Sequence, residues 1–403
     1  MKIVIATEWL AENMGYADIC LAKALAKRGC EVHILTSNVK PYFNLPNYRE
    51  TYEDFLGTPI VSPGVATVDG YTIHRLQHRL RNGQIFIPGL LKEMKSIRPD
   101  IVQAFDVYSP LLIKIITGKL LFPYKIFTAS HIHASVYPLA HAKKNDLGIL
   151  AKLKLGITFG AGRILSFFYE KCYPISTDAA DIAIRFFGVL PKKINICSLG
   201  VDTDLFKPIT DPFAMQARKK LRAQLGIQDT EIVCVYTGRF TPEKAPLCLA
   251  KAIDILRKKG APVRGLFVGN GPEKHAIQSC EGCIVHHFVP VTELAPFYWA
   301  ADIGVWPQQE STSQLDAVAC GLPLIISDKT QVNERFEGNG LSYAEGDPSH
   351  LATQITSLLN SEVRKKLGGH GVEKIKKHYS WDVIAQQRII DYKNTRKISE
   401  RKG

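Results

Sequence analysis

Arg239 and Lys244 stand five positions apart in the segment Thr237-Gly238-Arg239-Phe240-Thr241-Pro242-Glu243-Lys244. The segment follows an apolar run that reads as a buried strand and precedes a helical pattern. Two cations on such a loop can converge on one anion, and Gly238 permits close backbone approach. The alternative is a pair of solvated surface cations. A second cluster runs from Trp306 to Pro323. A strand ends at Trp306, a polar loop Gln308-Gln309-Glu310 follows, and a helix opens with Ser311, Thr312 and Ser313 and closes at Gly321. Free N–H groups at such a helix start, with the macrodipole, make an anion site. N-capping accounts for the same hydroxyls. Asp316, one turn inside, either reaches sugar hydroxyls or is a plain surface carboxylate. Gly269-Asn270-Gly271-Pro272 ends a further strand; it either lets a nucleotide base lie flat on the backbone or simply turns the chain.

Parallel strands must position these loops. Ile3–Ala6 reads as a strand, Asp18–Arg28 as a helix stopped by Gly29, and Glu31–Thr36 as the next strand. Helix 90–98 leads to strand Ile101–Ala104, and Lys125–Thr128 is another strand. Residues 191–208 read as a strand and then a linker rich in Gly, Asp and Pro. From Glu231 a second alternation gives strands at 231–236, 264–268, 284–286, 303–306 and 323–326. Helices fall between them at 245–259, 272–279, 292–300 and 312–320. Continuous apolar strands imply sheets covered on both faces. Each half is expected to be doubly wound, with ligands at the carboxyl ends of strands in a cleft between the sheets.

The 403 residues favour two domains. The net charge of +13 is uneven: residues 75–200 hold eighteen Lys/Arg against seven Asp/Glu, whereas 201–403 hold twenty-seven against twenty-three. A basic field implies an anionic partner. Nucleic acid is excluded as that partner because no nucleic-acid reading motif accompanies the charge. The excess includes a stretch, 143–172, in which Lys143, Lys144, Lys152, Lys154, Arg163 and Lys171 interleave with apolar residues such as Leu147, Ile149, Leu150, Leu153, Ile157, Ile164, Phe167 and Phe168. Such a segment can lie on an anionic membrane; an ordinary core-facing helix pair with a wet basic side has the same pattern. Nine cysteines show no disulfide framework, and the Cys280–Cys283 pair lacks a second pair at metal-finger spacing. The start of the chain reads as a strand and no stretch is long enough to cross a membrane, which points to a cytoplasmic protein, with peripheral attachment to the inner membrane face if 143–172 binds lipid.

Taken in order, these motifs resemble glycosyltransferase family 4. The resemblance is carried by Gly-Arg-Phe-x-x-x-Lys at 238–244, Val268 to Pro272, Phe288-Val289-Pro290, Ala301-Asp302-Ile303, Asp316 to Pro323, the hinge-like Gly200 to Pro208, and Leu25 to Val32. It implies a GT-B fold of group 1 type: two Rossmann-like doubly wound domains facing a central cleft. The expected division is an acceptor-side domain over 1–205, a nucleotide-sugar domain over 206–380, and a C-terminal helix from 381 packing back on the first domain before a charged, solvated end at 393–402.

The resemblance further implies transfer of a hexose from a nucleoside-diphosphate sugar, with retention of configuration and without metal or other cofactor. The acceptor would be a lipid-linked saccharide or polysaccharide of envelope or glycan synthesis. Arg239 and Lys244 match the pair that neutralises the departing diphosphate. His131 matches a histidine near the donor sugar, with a satisfied structural histidine as the alternative. Asp316 matches a ribose-binding glutamate. Gly15, Gly238, Gly269, Gly271, Val289, Ser311, Thr312 and Ser313 complete the expected donor site. Two departures stand out. The family's other glutamate, eight positions before Asp316, is Gln308 here, so Gln308 and Glu310 compete for its role. The family's paired glycines in the first loop are Gly15 and Tyr16. A sugar-nucleotide binder without turnover and a GT-B epimerase are the other readings.

Overall fold

The computed structural model describes residues 1–140, 148–330 and 332–400, with 396–400 described by backbone alone. The chain divides into two compact units. Unit 1 is Met1–Arg49, Leu56–Leu199 and the C-terminal segment from Trp381; unit 2 is Glu50–Phe55 and Gly200–Ser380.

Unit 1 is built on β1 (Lys2–Ala6), β2 (Glu31–Ser37), β3 (Gly64–Val68), β4 (Tyr71–Leu76), β7 (Ile101–Ala104), β8 (Lys125–Ser130) and β9 (Lys171–Pro174), with a separate hairpin β5 (Arg79–Arg81) and β6 (Gln84–Phe86). The sheet order is β3-β4-β2-β1-β7-β8-β9. All neighbours are parallel except the β3–β4 pair. Ile3 to Ala6 are buried on both sides because separate apolar clusters cover the two faces. Unit 2 carries a six-stranded parallel sheet in the order β12-β11-β10-β13-β14-β15. Its strands are β10 (Ile232–Arg239), β11 (Val263–Asn270), β12 (Cys283–His286), β13 (Ile303–Trp306), β14 (Leu324–Ser327) and β15 (Gly340–Tyr343). One apolar cluster runs through this unit.

Four sequence expectations change. No regular strand forms within 191–208: a short 3-10 turn at Pro191–Lys193 is followed by an extended run in which Ile194 only bridges Cys172. The run lies along β9, where Asn195 N–H bonds the Cys172 carbonyl and Cys197 N–H the Pro174 carbonyl, but the single bridge at Ile194 does not extend into a regular ladder. The division falls at 199/200 rather than 205/206, because the Val201 N–H bonds the Tyr379 carbonyl and Val201 pairs with Ser380 inside unit 2. The C-terminal helix does not stop before the charged end at 393–402 but continues through its described part as Trp381–Glu400, with Lys393 and Asn394 exposed.

The fourth change concerns 143–172. Lys143, Lys144 and Leu147 lie outside the described residues, and Ile149–Leu165 forms a single 17-residue helix. A core-facing helix would bury its apolar residues. Here Ile149, Leu150, Leu153, Ile157 and Ile164 keep between 59 and 85 % of their surface in solvent. Gly162 is the buried residue of the helix. A Cβ there would stand 1.9 Å from the Phe187 carbonyl oxygen, and one on Gly188 would stand 2.2 Å from that of Phe159. The helix is therefore seated by a glycine-to-backbone crossing near its C-terminal end.

The C-terminal helix completes unit 1. Arg28 makes a fork to Asp382 at 2.9 and 2.7 Å. Tyr392 donates to Gln103 at 3.0 Å, and Tyr173 and Lys171 both donate to Asp391, at 2.7 and 2.8 Å. Trp381, Ile384, Ala385 and Tyr392 enter the apolar cluster on that face of the sheet.

Candidate functional site

The cationic loop grows out of the end of β10. Register pairs Gly238 with Gly269 and Arg239 with Asn270 across β10 and β11. Both glycines have positive φ, +146° and +157°. A Cβ on Gly269 would fall 1.8 Å from the Gly238 carbonyl oxygen, so glycine is required by the approach of the two strands themselves. Gly271, at φ +151°, similarly abuts the Phe240 carbonyl. Phe240 is fully buried; its N–H bonds the Asn270 carbonyl, and its own carbonyl accepts from Glu273 N–H. Tyr236 donates to the Arg239 carbonyl at 2.8 Å. The loop bearing the two cations is thus pinned at both ends before any ligand arrives.

Lys244 reaches across to the second motif. Its Nζ donates to the Glu310 carbonyl at 2.7 Å, and Arg335 Nη1 donates to the Ser311 carbonyl at 3.3 Å. Arg239 lies 4.0 Å from the Glu243 carboxylate. Burial, and next the charge of Arg239, push the Lys244 ammonium down to about 8, against the opposing pull of Glu310 and Glu243. Glu310 is itself buried and Gln308 half-buried. Between them Gln309 holds a left-handed φ of +46°, uncommon for a residue with a side chain. Tyr343 donates to the Pro307 carbonyl at 2.7 Å and Trp306 to the Thr237 carbonyl at 3.2 Å, which anchors this loop to β10.

The helix that follows is Ser313–Ala319. Thr312 precedes it in helical conformation and makes no side-chain cap, so N-capping does not account for the hydroxyls. Ser311 instead donates to the Ser313 hydroxyl at 3.2 Å. Burial, and then the charge of Asp202, push the Asp316 carboxyl up to about 8, so it keeps its proton near neutrality. Val289 is half-buried against the unit 2 core.

Unit 2 thus brings together Gly238, Arg239, Lys244, Glu310, Ser311, Thr312 and Ser313, with Gly269 and Gly271 alongside. Gly15 and His131 belong to unit 1. Gly15 closes the short turn Glu12–Met14 with φ +63°, and Tyr16 beside it meets the Tyr42 hydroxyl at 3.0 Å and the edge of Trp9. His131 follows β8 and packs edge-on to Phe105, ring centroids 5.3 Å apart. Burial, then the charges of Arg388 and His133, push it down to about 4. It is therefore a neutral imidazole, able to trade hydrogen bonds but not to supply charge. His133 turns elsewhere: its Nδ1 lies 3.2 Å from Asp178, which also accepts from the Ala134 N–H and the Ser176 hydroxyl. Burial pulls Asp178 upward, but those donors outweigh it and hold the carboxylate well below its usual range.

Sequence reasoning passed over three residues here. Gln314 is fully buried, and among the described residues neither its Oε1 nor its Nε2 has a hydrogen-bond partner; Thr241 Oγ1 is in the same state. Orphaned buried polar atoms are uncommon and tend to mark functional positions. Arg335 is almost wholly buried beside the same loop. None has a motif signature; only burial distinguishes them. The Cys280–Cys283 pair carries free thiols pushed up by burial, and among the described residues no group of three or more His, Cys, Asp or Glu is placed to hold a metal.

Two parallel-sheet units with this connectivity define the GT-B class. Solved structures agree on the fold. Sucrose-phosphate synthase from Thermosynechococcus elongatus superposes with a TM-score of 0.69 at 18% identity over 98% of both chains. Anabaena HepE, solved in complex with UDP, gives 0.68 at 16% identity over 98% of this chain and 100% of the other.

Residues 19–205 match the family model described as Glycosyltransferase Family 4, and residues 231–361 match that of Glycosyl transferases group 1. The chain belongs to the family 4-like, group 1 glycosyltransferases. Similar curated proteins include spore coat protein SA of Bacillus subtilis, 26% identical over 237 residues, covering 53% of this chain and 62% of that one. The D-inositol 3-phosphate glycosyltransferase of Segniliparus rotundus is 26% identical over 226 residues, 52% of this chain and 49% of that one. The matches span about half to three-fifths of those relatives' length.

Proposed function

We propose that the chain transfers a hexosyl group from a nucleoside-diphosphate sugar to an acceptor hydroxyl, with retention and without a metal ion. The observation that carries this reading is the state of Lys244. Lys244, bonded to the Glu310 carbonyl at 2.7 Å, is lowered to about 8 first by burial and next by a second cation, Arg239, so added negative charge would be favoured beside the pair. A diphosphate supplies that charge, and supplies most of it as the glycosidic bond breaks, so fixed cations favour the transition state over the ground state. Because the loops are already pinned, little reorganisation accompanies the reaction.

Other residues take the remaining roles. Ser311, Thr312, Ser313 and the uncapped start of helix Ser313–Ala319 offer hydroxyls and N–H groups to phosphate oxygens. Asp316, protonated near neutrality, can both donate to and accept from ribose hydroxyls. His131, neutral, is assigned a sugar hydroxyl. Glu310 is favoured over Gln308 beside the sugar, because its backbone is tied directly to Lys244. HepE, a fold neighbour, has been solved with UDP and with UDP-glucose, which supports a nucleotide-sugar donor. The proposed acceptor is a lipid-linked saccharide or a polysaccharide. A second reading, sugar-nucleotide binding with little turnover, draws on Gln308 standing where the family has a carboxylate.

Thermal shift with UDP-, GDP- and ADP-sugars, paired with an assay for donor cleavage and transfer, tests both. A shift with one nucleotide class and transfer supports the proposal. A shift without transfer to any acceptor supports the second reading, and no shift with any nucleotide removes both.

A further inference from the structure

Helix Ile149–Leu165 wears its apolar residues on the wrong side for folding. At about 100° per residue, Ile149, Leu150, Leu153, Ile157 and Ile164 fall within roughly 100° of arc. That arc faces away from Gly162, where the helix meets Phe187 and Gly188. On the same wheel Lys152 and Arg163 border one edge of the apolar stripe and Lys154 the other. From Ile149 to Tyr169 the sequence contains no acidic residue.

The stripe has a neighbour. Lys119 Nζ donates to the Phe168 carbonyl at 3.0 Å, which sets the turn after helix Pro110–Gly118 beside the end of the long helix. Leu120 and Leu121 in that turn are 81 % and 71 % exposed, and Phe167 and Phe168 are exposed too. Soluble surfaces rarely concentrate so many large apolar side chains, and a face built this way marks an interaction site.

We infer that this face of unit 1 docks on an anionic lipid bilayer. Charge decides the occupant. Cations bordering an apolar stripe on both sides suit a helix lying in the headgroup plane, its stripe in the acyl boundary and its Lys and Arg stems reaching up to phosphates. A second copy would press this basic face against itself, with no acid between Ile149 and Tyr169 to offset the repulsion. Among the described residues no helix is long and apolar enough to cross a membrane, so attachment through this face is to one leaflet. The inference deepens the transferase reading by placing the protein where a lipid-linked acceptor resides, yet the binding itself needs no donor or turnover.

Flotation of the full chain tests it, with vesicles of phosphatidylcholine alone or with a third of phosphatidylglycerol. The protein is expected to float with the anionic vesicles at low salt and to be released as the Debye length shrinks. Leu153→Gln/Ile157→Gln should weaken binding by about a hundredfold, roughly tenfold per large apolar side chain. Lys152→Glu/Lys154→Glu should abolish the anionic preference. Both pairs are exposed, and circular dichroism and the nucleotide thermal shift should stay as in wild type. Absence of flotation at low salt, or flotation indifferent to both variants, overturns the inference. So does self-association in sedimentation that the Leu153/Ile157 variant removes while vesicles remain unbound. Failure to float with an intact nucleotide shift refutes the docking alone; a missing shift with intact flotation refutes the transferase reading alone.

Discussion

Two crossover helices of this chain do the same topological job in opposite ways. Ser313–Ala319 links the parallel neighbours β13 and β14 in seven residues and buries Gln314, Leu315, Ala317, Val318 and Ala319. Ile149–Leu165 links the parallel neighbours β8 and β9 in seventeen and buries Gly162. A helix of two turns suffices to return the chain, so the extra length in unit 1 is not required by the sheet. The short helix places hydroxyls and Asp316 with the precision of a packed core, whereas the long one, seated near its C-terminal end at Gly162 and Leu165, presents a surface. Packing and the proposed function coincide in the first and are separated in the second.

The comparison can be broken at several points. Arg239→Ala should lower transfer by about a thousandfold while the protein folds normally, since it removes charge stabilisation from the pinned loop; wild-type turnover would detach the buried helix's neighbourhood from the chemistry. Leu315→Ala should cost about 2–5 kcal/mol in denaturant unfolding, as expected for a buried leucine. Gly162→Val should cost about 1–3 kcal/mol or more, because its side chain would run into the Phe187 carbonyl; an unchanged midpoint would show that the long helix is not seated there.

The next effect is one of pH. Lys244 loses its proton as pH rises through about 8. Nucleotide-diphosphate affinity should therefore be full below that value and fall by up to about tenfold per pH unit above it, a slope absent in Lys244→Met. The same lowered value means that folding with a charged Lys244 is unfavourable, so Lys244→Met should leave the melting temperature unchanged or raise it. Leu153→Ala, the smallest effect, should move stability by no more than about 0.5 kcal/mol. A cost like that of Leu315→Ala would erase the distinction between the two helices.

Much of unit 2 was legible because its strands are apolar on both faces and its loops carry glycines and cations at fixed spacing. Strands 303–306 and 323–326 fall within a residue of β13 and β14. Unit 1 was harder. β3 is exposed along its whole length and pairs antiparallel at a sheet edge, so it shows neither a continuous apolar run nor a clean alternation. β9 hid inside the basic stretch, since Lys171 and Cys172 look like its continuation. The helix at 149–165 showed its period but not its orientation. A sequence with apolar residues on much of its circumference does not say which arc meets the core; the crossing at Gly162 settles that, and a glycine has no pattern of its own. The orphaned amide of Gln314 was equally silent, because only packing reveals that a polar group has been sealed in.

The C-terminal helix has a consequence for biogenesis. The chain leaves unit 1 at Leu199, spends Gly200–Ser380 in unit 2, and returns at Trp381. On a ribosome, unit 2 therefore has its whole sequence from 200 to 380 before Tyr173, Gln103 and Lys171 meet their partners on the last helix. Until then the part of the unit 1 sheet face covered by Trp381, Ile384, Ala385 and Tyr392 stays bare, so the unit begun first is finished last, and a nascent chain stalled before residue 381 should be the form that chaperones and proteases recognise.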